Sequence, residues 1–138
     1  MTAARHAAVA PTGGQAPTAL VVDDQASARV RMTTILADAG WRVSTAGDAA
    51  EALEKARAER PSIIFMDIVM PGMDGYQACR RLAEDPMTRG IPVVFVSTKN
   101  QRADQVWARM QGGRALLPKP LTPAQLLSAL QHVDGRAR

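Results

Sequence analysis

Three aspartates, a serine and a lysine stand where apolar runs end, and their types suit cation-assisted phosphoryl chemistry. Leu20-Val21-Val22 runs into Asp23-Asp24, and Ile63-Ile64-Phe65-Met66 into Asp67. Val93-Val94-Phe95-Val96 runs into Ser97, and Ala115-Leu116-Leu117 into Pro118-Lys119-Pro120. In an open parallel sheet, ligands bind outside the carboxyl ends of the strands, where the strand order reverses. Two unit charges about 4 Å apart repel by roughly 4 kcal/mol at an effective dielectric of about 20. Converging carboxylates therefore call for a cation, and hard oxygen ligands with room for water suit Mg2+. Asp23-Asp24 taken alone would read as turn punctuation; opposite Asp67 and Lys119 it reads as a site.

Asp67 follows directly on an apolar run, a costly place for a carboxylate that has no use. As a nucleophile it would attack phosphorus and become an acyl phosphate. Such a transfer depends on positioning and charge neutralisation more than on covalent help. Mg2+ would neutralise one side of the phosphoryl group and the Lys119 ammonium another. Ser97 and backbone amides beyond the third strand would donate to its oxygens, although a hydroxyl at a strand end also serves to cap a turn. Lys119 lies between two prolines, which stiffen its loop and fix the direction of its stem.

The elements that must hold these residues alternate strand with helix. After the first strand, Ala28, Met32, Ile35, Leu36 and Ala39 fall at helical spacing, and Gly40 closes the helix. Trp41 to Thr45 alternates as an edge strand. Asp48-Ala49-Ala50-Glu51 reads as a capping box in which Glu51 reaches back to the cap residue. Ala49, Ala52, Leu53 and Ala56 then form a buried stripe. Pro71-Gly72-Met73-Asp74-Gly75 is a turn cluster leading into a helix with Tyr76, Cys79, Leu82 and Ala83. Ala103, Val106, Trp107 and Met110 mark a fourth helix, stopped by Gly112-Gly113. Thr122-Pro123 starts a fifth, striped by Leu126, Ala129, Leu130 and Val133. Runs apolar on both faces require a parallel sheet covered on both sides, and right-handed crossovers leave few topologies. The expected fold is α/β: a doubly wound, five-stranded parallel sheet in the order 2-1-3-4-5 with five helices, flavodoxin-like.

Length allows one domain. Residues 1–17 hold few large apolar side chains and read as a disordered leader, which leaves 18–138 for the domain. No segment approaches the roughly 20 apolar residues that span a bilayer, and none resembles a signal peptide, so a cytoplasmic location is expected. Cys79 is the chain's one cysteine, which excludes an internal disulfide; it reads as a small hydrophobe. The net charge is +4, but the basic residues are dispersed, aromatics make up 4% and no nucleic-acid-binding motif is present. A basic face matched to an acidic protein partner is the better reading.

The segments Val-Val-Asp-Asp at 21–24, Met-Asp-Ile-Val-Met-Pro-Gly-Met-Asp-Gly at 66–75, Ser97, and Lys-Pro at 119–120 resemble a response-regulator receiver domain. The resemblance implies that Asp67 is the phosphoacceptor and that Asp24 and Asp67 bind Mg2+ directly. It further implies that Asp23 acts through water, that the Val69 carbonyl is a third protein ligand, that Ser97 is the switch hydroxyl and that Lys119 senses the phosphate. A sensor histidine kinase, such as one of chemotaxis type, would be the donor. A downstream protein would be met through the fourth helix, fifth strand and fifth helix. Thr98-Lys99-Asn100-Gln101, Val106-Trp107 and Gln111-Gly112 are similar to stand-alone regulators of twitching motility by type IV pili.

The chain departs from that pattern at three places. Leu116 occupies the position where many receivers carry an aromatic switch residue. Pro118 removes a backbone donor from the fifth strand. Val69 and Lys99 flank the expected path of a hydrolytic water, and the Val69 side chain cannot orient it. Competing readings are a phosphorylation-independent docking module of the same fold, a Mg2+-dependent phosphatase with an aspartyl nucleophile, and a nucleotide- or flavin-binding module. The phosphatase reading needs a second acid where Val69 stands. The nucleotide reading needs small residues after the first strand to cradle phosphate, where Asp23-Asp24 would repel it.

Overall fold

The apolar runs form β1 (Thr18–Val22), β3 (Ile63–Asp67), β4 (Val93–Ser97) and β5 (Ala115–Pro118), with β2 (Arg42–Ala46) at one edge. Between and after them run α1 (Ala26–Asp38), α2 (Ala49–Glu59), α3 (Gly75–Glu84), α4 (Arg102–Met110) and α5 (Pro123–Ser128). This computed structural model describes residues 16–133, so the leader expected at 1–17 lies outside the described residues up to residue 15. Pro17 is already tied to the sheet, its carbonyl accepting from Arg42 N at 2.9 Å.

Every strand pairing is parallel and the order is β2-β1-β3-β4-β5, as expected. Residues of β3 and β4 are buried throughout because helices cover both faces. Side chains alternate between two cores. Leu20, Val22, Ile64, Met66 and Phe95 pack beneath α2, α3 and α4. Ala19, Val21, Phe65, Val94 and Val96 pack beneath α1 and α5 with Met32, Leu36 and Leu126. Cys79 is buried in the first core, and burial pushes its thiol up to about 11. Among the described residues, no helix is long and apolar enough to cross a membrane.

Local chemistry sets the element boundaries. Gly40, at φ 93°, ends α1 in the left-handed region that glycine tolerates. Asp48 caps α2 by accepting from Glu51 N at 2.8 Å. The expected reciprocal bond takes a different donor: Glu51 Oε1 accepts from Gly47 N at 2.9 Å, one residue further back. Full capping boxes occur instead at Asp74/Gln77 and Thr122/Gln125. Pro118 sits on the outermost strand, where a missing donor is tolerated, and Lys119 N donates to Ser97 O at 3.0 Å. The fourth helix is where Ala103, Val106, Trp107 and Met110 place it, but all four face solvent, and Ala108 is the residue α4 buries.

Candidate functional site

Pairing of β1 with β3, Val22 opposite Met66, brings the residues that follow, Asp23 and Asp67, to one rim. The carboxylate oxygens of Asp23, Asp24 and Asp67 come within 4.8 Å of one another. Asp23 and Asp67 are buried, whereas Asp24 is exposed. From the far end of the sheet, Lys119 reaches both buried acids: its Nζ lies 2.7 Å from Asp23 Oδ2 and 3.4 Å from Asp67 Oδ1. The Lys119–Pro120 bond is cis.

The loop after β1 is held from every side. Asp23 N donates to Ala46 O at 3.1 Å, and Asp23 Oδ1 accepts from Gln25 N at 2.9 Å. Arg29, from α1, donates to Asp23 O at 2.6 Å. Beyond β3, Gly75 N donates to Ile68 O at 2.8 Å. A Cβ at Gly75 would lie 2.2 Å from the Asp67 carbonyl oxygen, so α3 can start this close only with glycine there.

Burial raises the Asp67 carboxyl to about 6, and the Asp23 charge adds to the rise, while Lys119 opposes it. Lys119 itself is raised: burial pulls it down, but the hydrogen bond it donates to Asp23 and the charges of Asp67 and Asp23 outweigh that. A buried carboxylate this reluctant to ionise beside two others is a site short of positive charge. Hard oxygen donors in that number fit Mg2+. Val69, the other expected ligand, follows Asp67 in the loop with its side chain exposed.

Ser97 ends β4 one residue beyond Val96, which pairs with Asp67. It is buried, and its Oγ accepts from Lys99 N at 3.0 Å, so here the hydroxyl caps the turn. Two contributors carried no local signal in the sequence. Arg29 has only its helical position to mark it. Gly75 stood in a turn cluster that could explain it without reference to Asp67.

Residues 19–131 match the model of the response regulator receiver domain. Protein PilH of Pseudomonas aeruginosa is 40% identical over 114 residues, covering 83% of this chain and 94% of PilH. The chemotaxis protein CheY4 of Vibrio cholerae has a TM-score of 0.79 at 32% identity, covering 85% of this chain and 98% of that one. A CheX–CheY complex with BeF3 and Mg2+ from Borrelia burgdorferi has a TM-score of 0.81 at 26% identity, covering 88% and 91%.

Proposed function

This chain belongs to the response regulator receiver family, and on that premise we propose that it is a phosphorylation switch whose acceptor is Asp67. The observation that carries the reading is the convergence of three carboxylates and one ammonium: oxygens within 4.8 Å of one another, and Lys119 Nζ against both buried acids. An Asp67 oxygen attacks the phosphorus of a phosphohistidine on a sensor kinase. The O–P bond forms as the P–N bond breaks, and the departing imidazole nitrogen keeps the electron pair. Asp24, Asp67 and the Val69 carbonyl would hold Mg2+, with Asp23 acting through water. The charge it supplies lets one anion approach another. Lys119 then exchanges part of its contact with Asp23 for a phosphoryl oxygen. Ser97 Oγ turns from Lys99 N toward the same group.

Movement of Ser97 and its loop would alter the surface formed by α4, β5 and α5, where a downstream protein is met. Likeness to PilH and CheY4 supports a place in motility or chemotaxis-like signalling in the cytoplasm, with a chemotaxis-type histidine kinase as donor. The Borrelia relative's complex with BeF3 and Mg2+ supports the cation assignment.

The test is incubation with Mg2+ and a small acyl phosphate, followed by intact-mass measurement. Wild type gains one phosphoryl group and Asp67→Ala gains none. Uptake that persists in the variant moves the acceptor elsewhere. No uptake by either protein leaves the docking-module reading.

A further inference from the structure

An apolar cleft of about 330 Å3 opens beside the acid cluster, between the first two turns of α1 and the loop after β5. Its helical wall is Ala28 and Met32, one turn apart, with Ser27 and Arg31 in the next row. Val96 from β4 and Leu121 from the loop complete the apolar lining. Met32, Val96 and Leu121 are buried and belong to the core beneath α1 and α5. The small side chains at 27 and 28 leave the space above them open.

A dent between a helix and a loop is ordinary surface. Here, however, three lining residues each adjoin a residue of the site. Gln25 N donates to Asp23 Oδ1 at 2.9 Å, Thr98 follows Ser97, and Lys119 Nζ lies 3.4 Å from Asp67 Oδ1. The cleft is thus continuous with the acid cluster. It is also braced, because Arg31 donates to Leu121 O at 2.7 Å and ties α1 to the loop. Both charged residues that line it, Arg31 and Lys119, are positive.

We propose that this cleft receives the acyl group of a small acyl phosphate, so that the site selects direct phosphoryl donors with a short apolar chain. The inference rests on the reading of Asp67 as acceptor and names the donor class that the acceptor prefers. An Asp67 oxygen attacks phosphorus. The new O–P bond forms as the bond from phosphorus to the acyl oxygen breaks, and the carboxylate leaves with the electron pair. Its charge develops beside Arg31 and Lys119, while its chain lies against Ala28, Met32 and Val96. Small-ligand sites span about 300–1,000 Å3, and a cleft at the lower end suits a chain of a few carbons.

The probes are acetyl phosphate and butyryl phosphate, whose carboxylates are nearly equal as leaving groups. Each methylene buried is worth about fourfold. Initial rates of uptake, read by intact mass at equal donor and saturating Mg2+, should therefore favour butyryl phosphate by about tenfold. Ala28→Leu and Ser27→Leu each fill the cleft and bring that ratio to about one. Val30→Leu, on the exposed side of the same helix, keeps it. Equal rates in the wild type leave the cleft to a side chain of a protein donor and overturn the proposal. A butyryl preference that survives both cleft-filling variants overturns it as well. No uptake from either donor sinks the acceptor reading along with this one, whereas uptake at equal rates sinks this one alone.

Discussion

Lys119 is nearer to Asp23 than to Asp67: its Nζ is 2.7 Å from Asp23 Oδ2 and 3.4 Å from Asp67 Oδ1. The lysine is therefore chiefly the counterion of the buried Asp23 and competes with any cation for the same charge. Lys119→Met should bind Mg2+ at least about fivefold more tightly by titration calorimetry, since a unit positive charge is removed from within a few ångströms of the ligands. In metal-free buffer the variant should lose about 2–3 kcal/mol in urea unfolding. That is less than a fully buried pair would cost, because the lysine side chain is 22% exposed. Weaker Mg2+ binding would mean that Lys119 organises the acids instead of competing for them.

Asp67 makes metal-free stability depend on pH. Its pKa is raised from 3.8 to about 6, first by burial and then by Asp23. The folded state holds this proton more tightly than the unfolded chain, so the associated stability is complete below about pH 4. It is lost as pH rises through about 6. Asp67→Asn should remove that slope and be more stable than wild type at neutral pH without metal. Saturating Mg2+ should restore the wild type. Urea midpoints across the window, with and without the metal, check both statements.

Two glycines near the site separate packing from backbone conformation. At Gly75 a Cβ meets the Asp67 carbonyl oxygen at 2.2 Å and Ile68 Cα at 2.9 Å, both backbone atoms that cannot swing away. Gly75→Ala should cost about 2–3 kcal/mol and slow phosphoryl uptake, because relief of the clash displaces Asp67. At Gly72, φ is +77° with nothing within 4 Å. Gly72→Ala should cost about 1 kcal/mol and leave uptake nearly unchanged. Equal costs in urea would remove the distinction.

Much of this site was readable because burial forces apolar runs and chemistry interrupts them. Asp23, Asp67, Ser97 and Lys119 each stand at such an interruption, and parallel pairing with known handedness leaves few ways to arrange the strand ends. What the runs do not specify is which way an exposed helix faces. Helical spacing in α4 marks one face without saying whether that face is in or out, and Ala108 with Gly113 settles it by filling the inner side. Side chains that reach across the fold escaped for the same reason. Arg29 finds the Asp23 carbonyl and Gln105 Nε2 finds Leu116 O at 3.2 Å only once the elements are assembled. The Asp74/Gln77 capping box escaped because the turn residues around Asp74 masked it.

The acyl phosphate on Asp67 should be long-lived in the isolated protein. On the proposed reading, the water that hydrolyses it passes Val69 and Lys99. The Val69 side chain is exposed and has no group to hold a water in line, and Lys99 is exposed as well. Without help from the Lys99 ammonium, no side chain there aligns a nucleophile, and alignment is most of what such a hydrolysis lacks. Val69→Asn places a carboxamide on that path and should shorten the phosphoprotein half-life by about tenfold, with uptake from the acyl phosphate unchanged. Intact-mass time courses after removal of donor measure it. A half-life of seconds in the unmodified protein would show that Lys99, or a water fixed by backbone alone, already performs the alignment.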